Sequence, residues 1–208
     1  MKIRAFICRS SEVCVYCAKL VRILLICFFS FVPAVVQAQF TYTTNADNTL
    51  TITGYTGDGD ALSIPTNING LVVSGIGLWA FIENTNVRTV TIPGSVTSVG
   101  YGAFNGCSLL TSVTMPDSLT YISDLMFSGC PSLTNASIPP SVTSIGDEAF
   151  YSTGLTTVTI PTNVTSIGEA SFSECNALTN AWVSGKTIFG SSPYLVLRSG
   201  VNRRMIRK

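Results

Sequence analysis

Through the middle of the chain, apolar and polar residues alternate in short runs, and the same run keeps returning. Leu110-Thr-Ser-Val113-Thr-Met115 and Thr157-Val158-Thr159-Ile160 each put apolar side chains on one face and hydroxyls on the other, the period-two pattern of a half-buried β-strand. Each run stops at a proline: Ile64-Pro65, Ile92-Pro93, Met115-Pro116, Ile138-Pro139 and Ile160-Pro161, spaced by 28, 23, 23 and 22 residues. Proline has no N–H to donate to a ladder, so it ends the strand and turns the chain. A text that repeats at this period is a stack of units, none of which can bury its apolar side alone. The pattern therefore predicts a mainly β solenoid of about five coils of 22–28 residues over 62–185.

Aligning the units exposes their columns. After Ile-Pro come two apolar residues three apart: Val73/Ile76, Val96/Val99, Leu119/Ile122, Val142/Ile145 and Val164/Ile167. Glycine follows in four units (Gly77, Gly100, Gly146, Gly168), with Ser123 as the exception, and permits either a positive φ or a close backbone approach. Phenylalanine comes next in every unit: Phe81, Phe104, Phe127, Phe150 and Phe172, expected to stack as a buried spine. The first unit has about five extra residues around Asn69-Gly-Leu-Val-Val73, and the fourth is one residue shorter after Phe150.

Ahead of the repeats, Phe40-Thr-Tyr42-Thr and Leu50-Thr-Ile52-Thr alternate around the turn formers Asn45-Ala-Asp-Asn48. Residues 39–61 thus read as an N-terminal β-hairpin that covers the first coil. Gly57-Asp58-Gly59-Asp60 has the beginning of a calcium loop but no later bidentate acid, so a plain turn is expected there.

Two composite texts, Ile-Pro-x-Ser-Val-Thr-Ser-Ile-Gly-x-x-Ala-Phe and Phe-x-x-Cys-x-x-Leu-Thr-Ser-Val-Thr-Ile-Pro, run through residues 62 to about 183. They closely resemble the BspA-like leucine-rich repeat family. The resemblance implies a leucine-rich-repeat solenoid, export to the surface or medium of a bacterium or, less often, a protist, and a role in adhesion or protein recognition. It supplies no catalytic residue.

Charge and targeting change the picture at the two ends. Residues 23–36 form an apolar run preceded by Lys19 and Arg22, too short for a comfortable span and sized for a signal-peptide core. Val36-Gln37-Ala38 suits cleavage, so 1–38 is expected to be a signal peptide and the mature chain to begin at Gln39, secreted or at the cell surface, with no membrane span remaining. Residues 39–185 carry ten acids and a single base, Arg88, whereas 186–208 carry six bases and no acid. This basic C-terminal tail could meet a polyanion, but it lacks interleaved aromatics, and no nucleic-acid partner is expected.

The chain has no histidine, which removes Ser-His-Asp and Cys-His catalysis and any His-ligated metal. No enzyme activity, cofactor or metal is expected. Cys107 and Cys130 share a column that Cys175 rejoins two units later, with Asn84 and Thr153 in the same column. Neighbouring coils lie about 5 Å apart, so a Cys107–Cys130 disulfide is within reach. The favoured alternative is a ladder of small buried residues. Thr111, Thr134, Thr156 and Thr179 form a polar row that could serve as a binding face. The expected function is non-catalytic recognition of an extracellular protein or glycan. The alternative is a structural fragment of a larger surface repeat protein, self-associating through an uncapped C-terminal end.

Overall fold

The computed structural model describes residues 39–183 and the strand 188–189. These residues form strands and turns, with no helix among them. The fifteen strands are β1 (Phe40–Thr44), β2 (Leu50–Tyr55), β3 (Ala61–Ser63), β4 (Asn67–Ile68), β5 (Leu71–Ile76), β6 (Thr89–Thr91), β7 (Ser98–Val99), β8 (Ser112–Thr114), β9 (Tyr121–Ile122), β10 (Asn135–Ala136), β11 (Ser144–Ile145), β12 (Thr157–Ile160), β13 (Ser166–Ile167), β14 (Asn180–Val183) and β15 (Ile188–Phe189).

Each coil gives one strand to each of two parallel ladders. The first ladder runs β3, β6, β8, β10 and resumes as β12 and β14. The second passes from β2 through β5 to β7 and resumes as β9, β11, β13 and β15, with β7 and β9 unpaired among the described residues. Pairing is in register, so that Val90 lies beside Val113 and Ile145 beside Ile167. The alternation in sequence becomes alternation in burial: Val90, Val113, Ala136, Val158 and Ala181 face inward. The proline after the first-ladder strand does more than stop it. Its carbonyl accepts the N–H three residues on, closing a turn at Pro93–Val96, Pro116–Leu119, Pro139–Val142 and Pro161–Val164.

The sequence reading expected about five coils. Six strands stand in the first ladder, and Ile188–Phe189, inside the stretch assigned to the tail, pairs with Ser166–Ile167. The winding therefore runs to about six turns. The remainder of the tail, 186–187 and 190–208, and residues 1–38 lie outside the described residues.

The head is an antiparallel pair, β1 with β2, closed by Asn45 and Thr49. Phe40, Leu50 and Ile52 enter the same core as the coils, while β2 extends the second ladder. The extra residues of the first unit form a second small hairpin, β4 with β5. Asn69 and Gly70, with φ of 52° and 83°, supply the two left-handed positions of its tight turn.

The third side of each coil is a turn with phenylalanine at its centre. The rings of Phe81, Phe104, Phe127, Phe150 and Phe172 stack at centroid distances of 4.9, 5.6, 5.4 and 5.2 Å. The residues two before and two after each ring are left-handed: Trp79 and Glu83, Gly102 and Gly106, Leu125 and Gly129, Glu148 and Ser152, Ala170 and Glu174. That alternation aims successive N–H groups along the stack, where Phe81 donates to Ala103, Phe104 to Met126, Phe127 to Ala149 and Phe150 to Ser171. Backbone polarity is thus satisfied coil to coil even in the turns.

The glycine column has a different cause. Gly77, Gly100, Gly146 and Gly168 are not left-handed; a Cβ on Gly100 would lie 2.5 Å from the Leu78 nitrogen, and one on Gly146 2.1 Å from Asp124 Oδ1. Close approach of the preceding coil is what excludes a side chain.

Candidate functional site

Three sides of the solenoid differ in what they leave free. On the turn side, most backbone groups and several polar side chains are already committed to the stack. Cys107 and Cys130 donate their thiols to the carbonyls of Phe81 and Phe104, one coil back, at 3.1 and 3.2 Å, and Cys175 donates to Phe150 at 3.0 Å. All three are buried free thiols. The neighbouring Cys107 sulfur and burial push the Cys130 thiol far up, and burial pushes Cys175 up, so neither is a ready nucleophile. Asn84, at the head of this column, instead accepts from the N–H groups of Asn86 and Val87.

Two acids of this side, Asp124 and Asp147, are also structural. Asp124 Oδ1 accepts the Asp147 N–H at 3.0 Å and the Tyr121 hydroxyl at 2.6 Å, and Asp147 Oδ1 accepts the Glu169 N–H at 2.7 Å. The carboxylates occupy the room left by Gly146 and Gly168 in the next coil. Burial first, and then the bond to Asp124, push the Tyr121 phenol up to about 12.

On the second ladder, hydroxyls reach back one coil. Ser118 donates to Val96 O, Ser141 to Leu119 O at 2.6 Å, Thr143 to Thr120 O and Thr165 to Thr143 O at 3.1 Å. Ser95, in the coil that follows the β4–β5 hairpin, keeps a buried Oγ with no partner.

The outward face of the first ladder is the least committed surface. Two rows of short polar side chains cross it. One runs Thr89, Ser112, Asn135, Thr157, Asn180; the other runs Thr91, Thr114, Ser137, Thr159 and ends on Trp182. All but the half-buried Ser112 are exposed. Neither row contains a charged side chain. The predicted row Thr111, Thr134, Thr156, Thr179 borders this face at the entrance to each strand, with Thr111 half-buried and the others exposed. Thr111 and Thr179 use their hydroxyls to bond the carbonyls of Arg88 and Thr156, at 2.9 and 3.1 Å. The rows on the strands themselves were the part of this face that the sequence reading left unnamed, although strand alternation marks them as outward.

The face is interrupted once. Among the described residues β10 and β12 are not paired, and between them lies a cleft of about 250 Å3 rimmed by Asn135, Ser137, Thr157 and Thr159, with Val158 and Pro161 also lining it. The cause is the short fourth coil. From phenylalanine to the next inward Leu or Val the chain takes six residues in the other units but five from Phe150 to Leu155. Thr153 bonds the carbonyl of Phe150 in its own coil, at 3.0 Å, where the cysteines of its column bond a coil back. The Phe127 and Phe150 rings are inclined by 22°, against 7–12° elsewhere in the spine.

Comparison with known proteins agrees with this architecture. Six copies of the BspA type leucine-rich repeat region match residues 61–182. A leucine-rich repeat protein from Bacteroides ovatus superposes with a TM-score of 0.66 at 25% identity, over 74% of this chain and 52% of its own. The leucine-rich repeat protein of T. pallidum superposes with a TM-score of 0.63 at 27% identity, over 76% of this chain and 85% of its own. The chain thus spans about half the length of the first and most of the second. Comparison with curated protein sequences finds no match. With six matched copies over residues 61–182 and superposition on solved leucine-rich repeat proteins, the chain belongs to the BspA-type leucine-rich repeat family.

Proposed function

We propose that this protein is a secreted or cell-surface, non-catalytic recognition module that engages an extracellular partner through the outward face of its first ladder. The observation that carries the reading is that face: two rows of uncharged hydroxyl and amide side chains, repeated at strand spacing and not used up by the stack. Repeated rows on a solenoid suit an extended partner, because one contact type recurs at each coil. The apolar run 23–36 and the Val36-Gln37-Ala38 text support export, with Gln39 as the first residue of the exported product. The lack of histidine and the structural use of Asp124, Asp147 and the column thiols favour binding over chemistry.

Attachment of the full chain to cells tests the face. Thr114→Lys and Thr159→Lys place charge in its centre and should abolish attachment, whereas Thr143→Lys on the second ladder should leave it intact. Equal effects from the two sides would count against the face. Intact mass of the secreted product should correspond to a chain starting at Gln39.

A further inference from the structure

We infer that the break in the first ladder is a binding site for a neutral glycan, and that Trp182 is its stacking platform. The inference rests on the recognition reading above and gives it a place and a ligand class. Where the ladder is continuous, the strand backbones bond each other and leave a surface of short side chains. Between β10 and β12 that pairing is absent among the described residues. The cleft of about 250 Å3 therefore presents the Asn135 amide and the hydroxyls of Ser137, Thr157 and Thr159 together with strand backbone. Among the described residues none of these four side chains makes a hydrogen bond to another protein group, so their donors and acceptors are available.

The chemistry of that rim selects its ligand. It has amide and hydroxyl groups, each able to both donate and accept, and no charged lining residue. A polyol with alternating donors and acceptors matches it, and a phosphate, sulfate or carboxylate would find no cation to neutralise it. In register with Thr159, on the adjacent strand, stands Trp182 with 42% of its surface exposed. A pyranose ring has a face of C–H groups, and the electron-rich face of an indole attracts such an edge. An exposed indole one strand from a neutral hydrogen-bonding cleft meets the two requirements of sugar binding: a surface for the apolar face and partners for the hydroxyls. The other exposed aromatics, Tyr42, Tyr101 and Tyr121, lie on none of the strands β10, β12 and β14.

The test is equilibrium binding of the full chain to cellohexaose, mannohexaose and chitohexaose, with a heparin oligosaccharide as the charged comparator. At least one neutral hexasaccharide should bind. Trp182→Ala should then weaken it about tenfold or more, and Asn135→Ala and Thr157→Val about three- to tenfold each, the range expected for loss of single hydrogen bonds. Tyr42→Ala and Tyr121→Ala should bind as the parent does. Binding that survives Trp182→Ala, binding of heparin alone, or no binding of any hexasaccharide overturns the inference. If cell attachment nonetheless depends on Thr114 and Thr159, the recognition face stands without a glycan. If attachment is also indifferent to them, both readings fall.

Discussion

Gly146 and Glu148 are two residues apart in the same turn, yet substitution should act on them in opposite directions. A methyl group on Gly146 would fall against the Asp124 carboxylate and backbone nitrogen, so Gly146→Ala should destabilise the protein by about 1–3 kcal/mol, as overpacking does. Glu148 is exposed and holds a φ of 51°, a conformation that costs an L-residue about 1–2 kcal/mol. Glycine removes that strain at a smaller entropic cost, so Glu148→Gly should raise the urea midpoint, a net gain of about 0.5–1 kcal/mol. Phe127, fully buried between two stacked rings, is the opposite extreme: Phe127→Ala should cost about 3–5 kcal/mol in the same melt. Tyr121 gives a pH signature. Its phenol is held up to about 12, above the unfolded value near 10. The folded state therefore keeps a proton that the unfolded chain gives up, and the contribution is complete below pH 10 and is lost as pH rises towards 12. Tyr121→Phe should flatten the decline in stability over that window. The phenylalanine and glycine columns were legible in the sequence because one residue type repeats in them. The left-handed columns were not, because Trp79, Leu125, Glu148 and Ala170 share a backbone angle and no chemistry.

Among the coils, the fourth shows how a single residue changes an element. Its shortening after Phe150 was visible in the alignment of units, but its consequence depends on three-dimensional register. In the shortened coil Thr153 bonds within its own coil, where the cysteines of its column bond the coil behind, and β12 is parted from β10. Backbone amides that face the cleft, in residues 135–138 and 157–160, should exchange with deuterium faster than those of Thr89–Thr91, which lie between β3 and β8. Equal protection would mean that the gap is closed in solution. The cysteine column belongs to the same scale. Both a disulfide and a ladder were compatible with the strand spacing, and what separates them is the direction of the thiols: each points to a phenylalanine carbonyl in the preceding coil. Peptide mapping after alkylation should find Cys107, Cys130 and Cys175 unlabelled in the native protein and labelled after denaturation without reductant.

At the scale of the whole molecule, the solenoid was readable from a period and a proline, because a repeat fold writes its long-range contacts as short-range text. What that text does not weigh is the strength of each interface, and in such an array stability is approximately a sum of coil terms and nearest-neighbour terms. Between the third and fourth coils the first-ladder strands are unpaired and the rings are inclined by 22°, the widest angle in the spine. Phe150 bridges that junction, stacking at 5.4 Å on Phe127 and 5.2 Å on Phe172. Its removal should uncouple the later coils from the earlier ones, whereas Phe104→Ala, where the first-ladder strands β6, β8 and β10 pair without a break, should lower stability without dividing the array. The protein carries its own reporters, since its two tryptophans, Trp79 and Trp182, lie on opposite sides of the junction. With each tryptophan read alone, in a background where the other is phenylalanine, urea unfolding of Phe104→Ala should give coincident curves. In Phe150→Ala the Trp182 signal should change at lower urea than the Trp79 signal, breaking the coincidence that two-state unfolding requires. Coincident curves in Phe150→Ala would show that the second ladder and the turn bonds are enough to hold the two halves as one cooperative unit.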